Sequence, residues 1–303
     1  MEYKSAPMRR MAVLCWIATA VVSVAAGRAQ AQDVFGGSEA PPRRDGLRWN
    51  ADAPVDADPG TRADERAVRH GEQRPFVFAR DPSILLPGEV SIEYALQGVS
   101  GTEALRPLPA NLGARGALHG ATVGIGATSW LAAFATGLVY QPADGSSQQA
   151  AATGQAGVRL LLTRPDAALR AGAETSFVRE LAGAMGVASR LSLTYDAGPL
   201  RMVGNAYAEK IFAAGRDSVD LLAFGGASVR ATSQLRVGAE YVGQDLEDAF
   251  ESEEAEGGAR HFAGPVAAFH LADGSFWVTA GPAFGLNERS PRLVGRLSVA
   301  AAF

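Results

Sequence analysis

The chain is poor in cysteine, lysine, histidine and long apolar runs, and each shortage excludes something. The single cysteine is Cys15. It falls in an N-terminal segment that reads as a secretory signal, so the mature chain is expected to have no disulfide and no thiol chemistry. Leu14 before Cys15, near the start of the apolar run, does not fit a lipidation site. Lys4 and Lys210 are the only lysines, and the net charge is −4, so no basic surplus points to nucleic acid. The longest apolar run, Met11 to Ala26, is shorter than the ~20 residues of a membrane-crossing helix. Lys4, Arg9 and Arg10 precede it and Ala29-Gln30-Ala31 follows it, which predicts a signal peptide over 1–31, cleaved before Gln32. There is no Gly-rich phosphate loop, no zinc-type His/Cys spacing and no helical heptad. No cofactor and no metal is expected.

Residues 32–88 hold Ala40-Pro-Pro-Arg-Arg and Ala57-Asp-Pro-Gly-Thr among many Arg, Asp and Pro residues. Such composition buries too little apolar surface to offset ordering entropy, so a mostly disordered leader is expected. The sharper alternative is a segment that enters the rest of the fold. Two short apolar runs, Pro75-Phe-Val-Phe78 and Ile84-Leu-Leu86, are candidates to pack under it.

From Glu89 onward, apolar and polar residues alternate in segments divided by turn residues. The predicted strands are 89–97, 118–127, 130–140, 152–163, 168–179, 184–195, 199–210, 218–231, 234–243, 261–271, 275–286 and 292–303. Soluble strands average about 5–6 residues, whereas a tilted strand crossing a bilayer needs about 9–11. Connections alternate short and long. Thr128-Ser129, Arg164 to Ala167, Asp196 to Gly198, Thr232-Ser233 and Ala272 to Gly274 are short, while Gly98 to Ala117 and Gln244 to Arg260 are the longest. The links after the fifth and eleventh strands break this rule. Aromatics recur at both strand ends. Trp130, Tyr195, Phe276 and Phe303 are predicted at one rim, and Tyr140, Phe177, Tyr241 and Phe284 at the other. Together these features predict an all-β fold: a transmembrane, antiparallel, up-and-down barrel of about twelve strands over 89–303.

The last strand, Arg292 to Phe303, carries Leu293, Leu297, Val299, Ala301 and Phe303 on one face. It resembles the closing strand of Gram-negative outer-membrane β-barrels. That resemblance implies the bacterial outer membrane, reached by Sec-type export, with lipid and the barrel-assembly machinery as partners. The hairpin Gly120 to Tyr140 resembles hairpins in a broad family of outer-membrane transporters linked to degradation of aromatic compounds. It implies transport of a small solute.

The opposite parity gives the lumen: Glu89, Glu93, Arg159, Arg170, Glu174, Arg190, Arg201, Glu209, Asp220, Arg230, Arg236, Glu240, Arg292 and Arg296. These charges avoid hydrocarbon, where each costs about 2–4 kcal/mol near the midplane. They suit either an Arg–carboxylate network that fills the barrel or a polar, mildly anion-favouring pore. The last strand is expected to close against the first, with Glu89 and Glu93 as counter-charges for Arg292 and Arg296. Gly120, Thr122, Gly124 and Gly126, with Leu131, Ala133, Ala135, Gly137 and Val139, are expected to form a smooth lumen wall that faces solute or a segment folded inward. Counting from an Asp273-Gly274 turn sets Pro265 opposite Pro282 on the lipid side, which predicts a bulge or splayed ladder.

The functional expectation is a channel or facilitator for small solutes. The alternatives are a structural or surface-anchoring barrel with a salt-bridge-filled lumen, and a lipid-face hydrolase. His261 is the candidate for the hydrolase, but no Ser with a partner acid is evident beside it, so the chain is not expected to be an enzyme. The acidic stretch 244–260 reads as a solvated loop rather than a Ca²⁺ site.

Overall fold

The computed structural model describes residues 74–100, 116–142, 151–181, 183–214, 219–246, 259–271 and 275–303. The expectations for the signal peptide, for residues 32–73 and for the acidic residues 247–256 lie outside them.

Twelve strands form one closed antiparallel barrel in which each strand pairs with its neighbours in sequence and β1 pairs with β12. They are β1 (Val90–Ser100), β2 (Gly116–Gly126), β3 (Leu131–Pro142), β4 (Ala151–Leu161), β5 (Leu169–Glu180) and β6 (Met185–Ala197). The second half comprises β7 (Leu200–Phe212), β8 (Asp220–Arg230), β9 (Leu235–Gln244), β10 (Arg260–His270), β11 (Phe276–Gly285) and β12 (Leu293–Ala302). All have 10–13 residues. The end where β1 begins and β12 finishes is called the lower end here. It also carries the short β2–β3, β6–β7 and β8–β9 turns, while the short β5–β6 link, 181–184, lies at the opposite end.

The outer surface is apolar. Phe177, Leu191, Leu193, Val229, Val237 and Phe284 all point out and are exposed. Among the girdle residues, Phe177, Tyr195, Tyr241, Phe276, Phe284 and Phe303 take outward positions near the expected rims, and Trp130 is exposed at the lower turn. Tyr140 is a correction: it turns inward and is fully buried.

The reason is one residue in the β2–β3 turn. Thr128-Ser129-Trp130 is a three-residue loop, with Ala127 N and Thr128 N both donating to Leu131 O at 2.9 and 3.0 Å. Gly126 therefore pairs with Ala132, not Leu131. A one-residue slip sends every side chain to the other face. Ala132, Phe134, Thr136, Leu138 and Tyr140 thus line the interior, and Leu131, Ala133, Ala135, Gly137 and Val139 face out. Only the β2 half of the smooth wall exists. Thr232-Ser233-Gln234 makes the same kind of loop, with Thr232 Oγ1 accepting from Gln234 N at 3.2 Å and Leu235 N at 3.0 Å. This local hydroxyl-to-backbone bonding is what Thr-Ser turns offer.

The β10–β11 ladder is interrupted where the two prolines meet. Pairing runs through Ala263↔Phe284, resumes at Ala267↔Ala280 and omits the three positions between them. The register sum is the same on both sides, so the ladder opens without a bulge. Pro265 and Pro282 still pair outward with Ala239 and Gly295. The backbones run close at this gap: a Cβ on Gly264 would lie 1.9 Å from Pro282 O, and one on Gly281 2.1 Å from Pro265 O. Only glycine fits at these two positions.

Candidate functional site

The site is the barrel interior, and residues 74–88 occupy it. This corrects the expectation of disorder for that part of the leader. The segment has no regular secondary structure, so its backbone polar groups need partners from the wall. The β9 residue Glu240 accepts from Phe78 N and Ala79 N, both at 2.7 Å. The β7 residue Asn205 accepts from Arg80 N at 2.6 Å and donates to Arg80 O at 2.8 Å. Thr279 on β11 donates to Arg74 O at 2.7 Å. Gly88 N donates to Gly126 O at 2.7 Å where the segment joins β1.

The side chains of this segment, a strap over residues 74–88, are fitted equally closely. Phe76 is buried among Val203, Tyr207, Leu222, Val242, Phe262 and Val294, which together make an apolar layer across the lumen. Its ring rests on Gly226, where a Cβ would come within 2.4 Å of it. Burying a Phe side chain stabilises by about 1.5–3 kcal/mol. Phe78 stacks on Phe224, with centroids 6.3 Å apart and planes at 19°. Leu85 and Leu86 cover Gly124 and Gly126, so an inward-folded segment occupies that part of the smooth wall.

Below the apolar layer the interior is charged. Arg170 and Arg201 share two carboxylates, Asp196 on the wall and Asp81 on the strap. Arg170 Nη2 lies 2.7 Å from Asp196 Oδ2 and 3.0 Å from Asp81 Oδ2, and Arg201 Nε lies 2.7 Å from Asp196 Oδ1. Glu174 on β5 lies directly across from Arg159 on β4 and Arg190 on β6, and Arg159 Nε donates to it at 2.7 Å. Arg159 also lies over the Phe134 ring, 4.4 Å from its centroid. Arg296 Nη1 meets Glu240 Oε2 at 2.6 Å, with both side chains fully buried. The same guanidinium donates to Gly281 O at 3.1 Å and Pro282 O at 3.0 Å, beside the gap in the ladder.

The closing seam corrects one pairing. Gln97, not Glu93, lies across from Arg296, and Glu93 lies across from Ala300. Glu93 instead binds Arg74 of the strap and accepts from Ser298 Oγ at 3.0 Å, while Arg80 stands 3.9 Å away. Burial draws the Arg74 guanidinium down to about 10, against the opposing pull of Glu93. Arg292 is exposed just before β12 rather than in the lumen. Glu89 accepts from Leu86 N at 2.8 Å at the lower rim. Glu209 is buried and accepts from Tyr207 Oη at 2.9 Å, and Asp220 lies across from it. Arg230 and Arg236 face each other at the lower rim, where Arg236 donates to Ser228 Oγ at 3.2 Å and Pro199 O at 3.0 Å.

Sequence reasoning did not find Arg74, Arg80, Asp81 or Asp196. Three of them sit in a segment without periodicity, and the signals near them were the Pro75–Phe78 and Ile84–Leu86 apolar runs. On the lipid face, Tyr241 Oη and His261 Nδ1 are 2.7 Å apart and their rings stack. Ser290 Oγ engages the His261 backbone, accepting from its N–H and donating to its carbonyl, both at 2.9 Å. Among the described residues, no serine hydroxyl contacts a histidine ring.

No family model and no curated protein matches the chain. Among solved structures it is similar to an outer membrane channel from Pseudomonas putida F1, at 12% identity over 74% of this chain and 98% of that one, with a TM-score of 0.48. It is similar also to the Acinetobacter baumannii outer membrane protein Omp33, at 12% identity over 72% and 99%, with a TM-score of 0.42. A FadL homologue from Pseudomonas aeruginosa gives 11% over 77% and 96%, with a TM-score of 0.32. At such scores the likeness adds nothing to the twelve-strand closure that the pairing already shows.

Proposed function

We propose that the chain is an outer-membrane channel or facilitator for small solutes, delivered by Sec-type export, whose passage is controlled by the strap at 74–88. An apolar outer wall with its charges turned inward suits a barrel in lipid. In that placement the lower end, with its tight turns, faces the periplasm. The observation that carries the reading is that the lumen is stoppered by a segment that is not part of the wall. A twelve-strand barrel is wider than the eight-strand kind whose own side chains fill it. Phe76 and Phe78 complete the packing here, and removing their rings opens the apolar layer they fill between Val203, Tyr207, Leu222, Phe224, Val242, Phe262 and Val294.

A structural or anchoring barrel is the second reading. It is favoured by the wall-to-wall pairs Arg159–Glu174 and Arg296–Glu240, which remain whatever the strap does. Planar-bilayer recording of the refolded full chain and of its F76A/F78A variant separates the two. Stepwise current that is rare in the native chain and frequent in the variant supports the channel. Silence in both sinks it and favours the sealed barrel.

A further inference from the structure

A partly open cavity lies between the strap and the lower wall. Its charges do not balance. The balanced group to one side is Arg170 and Arg201 with Asp81 and Asp196. Among the described residues, the remaining cluster sets Arg74, Arg80 and Arg159, which line the cavity, and Arg190 beside Glu174, against Glu93 and Glu174. Among the described residues, three buried donors bordering the cavity have no hydrogen-bond partner: Arg80 Nη1, Arg159 Nη2 and Trp277 Nε1. Trp277 is 97% buried by its 3% exposure, so water from outside does not reach it freely. Buried donors without acceptors, and buried positive charge without counter-charge, are each costly. Pro82, Ile84 and Leu85 form an apolar side to the same cavity.

We propose that this cavity is a binding site for a small organic carboxylate, whose charged end takes the free Arg80, Arg159 and Trp277 N–H groups and whose apolar body lies against the strap. The proposal deepens the channel reading by naming a solute class. Binding is nonetheless measured without transport, so a sealed barrel that binds and a conducting barrel that does not are distinguishable results.

The test is calorimetric titration of the refolded full chain in micelles with benzoate, its neutral isostere benzamide, and chloride. Benzoate is expected to bind at one site per chain, at least about tenfold tighter than benzamide, because the amide offers no charge to the arginines. Trp277→Phe keeps the ring and deletes one donor, and is expected to weaken benzoate by about tenfold. Arg159→Gln is expected to weaken it further. Retention of the folded barrel's heat-dependent gel mobility qualifies each variant. The benzoate–benzamide comparison in the native chain stands even if a variant fails to fold. No benzoate binding, equal binding of benzamide, or benzoate binding that both folded variants leave unchanged overturns the site. Chloride competing at equal concentration overturns the apolar half of it.

Discussion

Neutralising Glu240 is the most direct way to loosen the strap. In Glu240→Gln the side chain keeps its shape. One amide oxygen still accepts from Phe78 N and Ala79 N, now without charge. A hydrogen bond to a charged group contributes about 1.5–3 kcal/mol, against about 0.5–1.5 kcal/mol for a neutral one. The two strap bonds at 2.7 Å therefore lose about 2 kcal/mol together. The Gln amide group also turns toward Arg296, which keeps Gly281 O and Pro282 O but loses its counter-charge. Each 1.4 kcal/mol is a factor of ten, so the population with the strap released rises about thirtyfold. Trypsin cleavage after Arg80 reads this population when release and return are faster than cutting. The rate of appearance of a fragment cut between Arg80 and Asp81, followed by mass spectrometry, is expected to rise about thirtyfold. A rate within a factor of two of the native chain would falsify the assignment of Glu240 as the strap's main anchor.

Two further perturbations follow from the packing. Gly226→Ala places a methyl within 2.4 Å of the Phe76 ring, so it should unseat the strap and raise cleavage after Arg80 without touching any charge; unchanged cleavage would show that the ring has slack. Replacing Pro265 and Pro282 together with Val restores two backbone donors, and both point across the β10–β11 gap, since their parities match those of His261 O, which accepts from Leu286 N, and Phe276 O, which accepts from Leu271 N. The two new amides are therefore expected to bond across to each other's carbonyls, to exchange slowly, and to close the gap between Ala263↔Phe284 and Ala267↔Ala280. Fast exchange at both new amides would mean that the ladder is open for a reason other than the missing proline donors.

The strand plan was legible because a half-lipid, half-polar wall writes period two into each strand, and because turns of Asp, Gly, Pro, Ser and Thr punctuate it. What a strand cannot declare is how many residues its turn consumes. Thr128-Ser129 reads as a two-residue turn, yet Trp130 joins it, and that single residue reversed Tyr140 and the whole inner face of β3. β3 gave little warning, since Ala and Leu occur on both its parities. The closing register was hidden for another reason: no turn links β12 to β1, so nothing in sequence fixes whether Arg296 meets Glu93 or Gln97. The strap was hidden because its order comes from Glu240, Asn205 and Arg170, each far away in sequence, and not from any local propensity.

Arg296 sits where two separate features touch. One side of its guanidinium grips the carboxylate that holds the strap, and the other grips the carbonyls beside the weakest stretch of the wall. A pull on the strap is thus carried through Glu240 and Arg296 into the Gly281-Pro282 stave, the place with the fewest cross-strand bonds to resist it. The stopper and the soft seam form one load path, and a variant that cuts it at Arg296 would let either give way without the other.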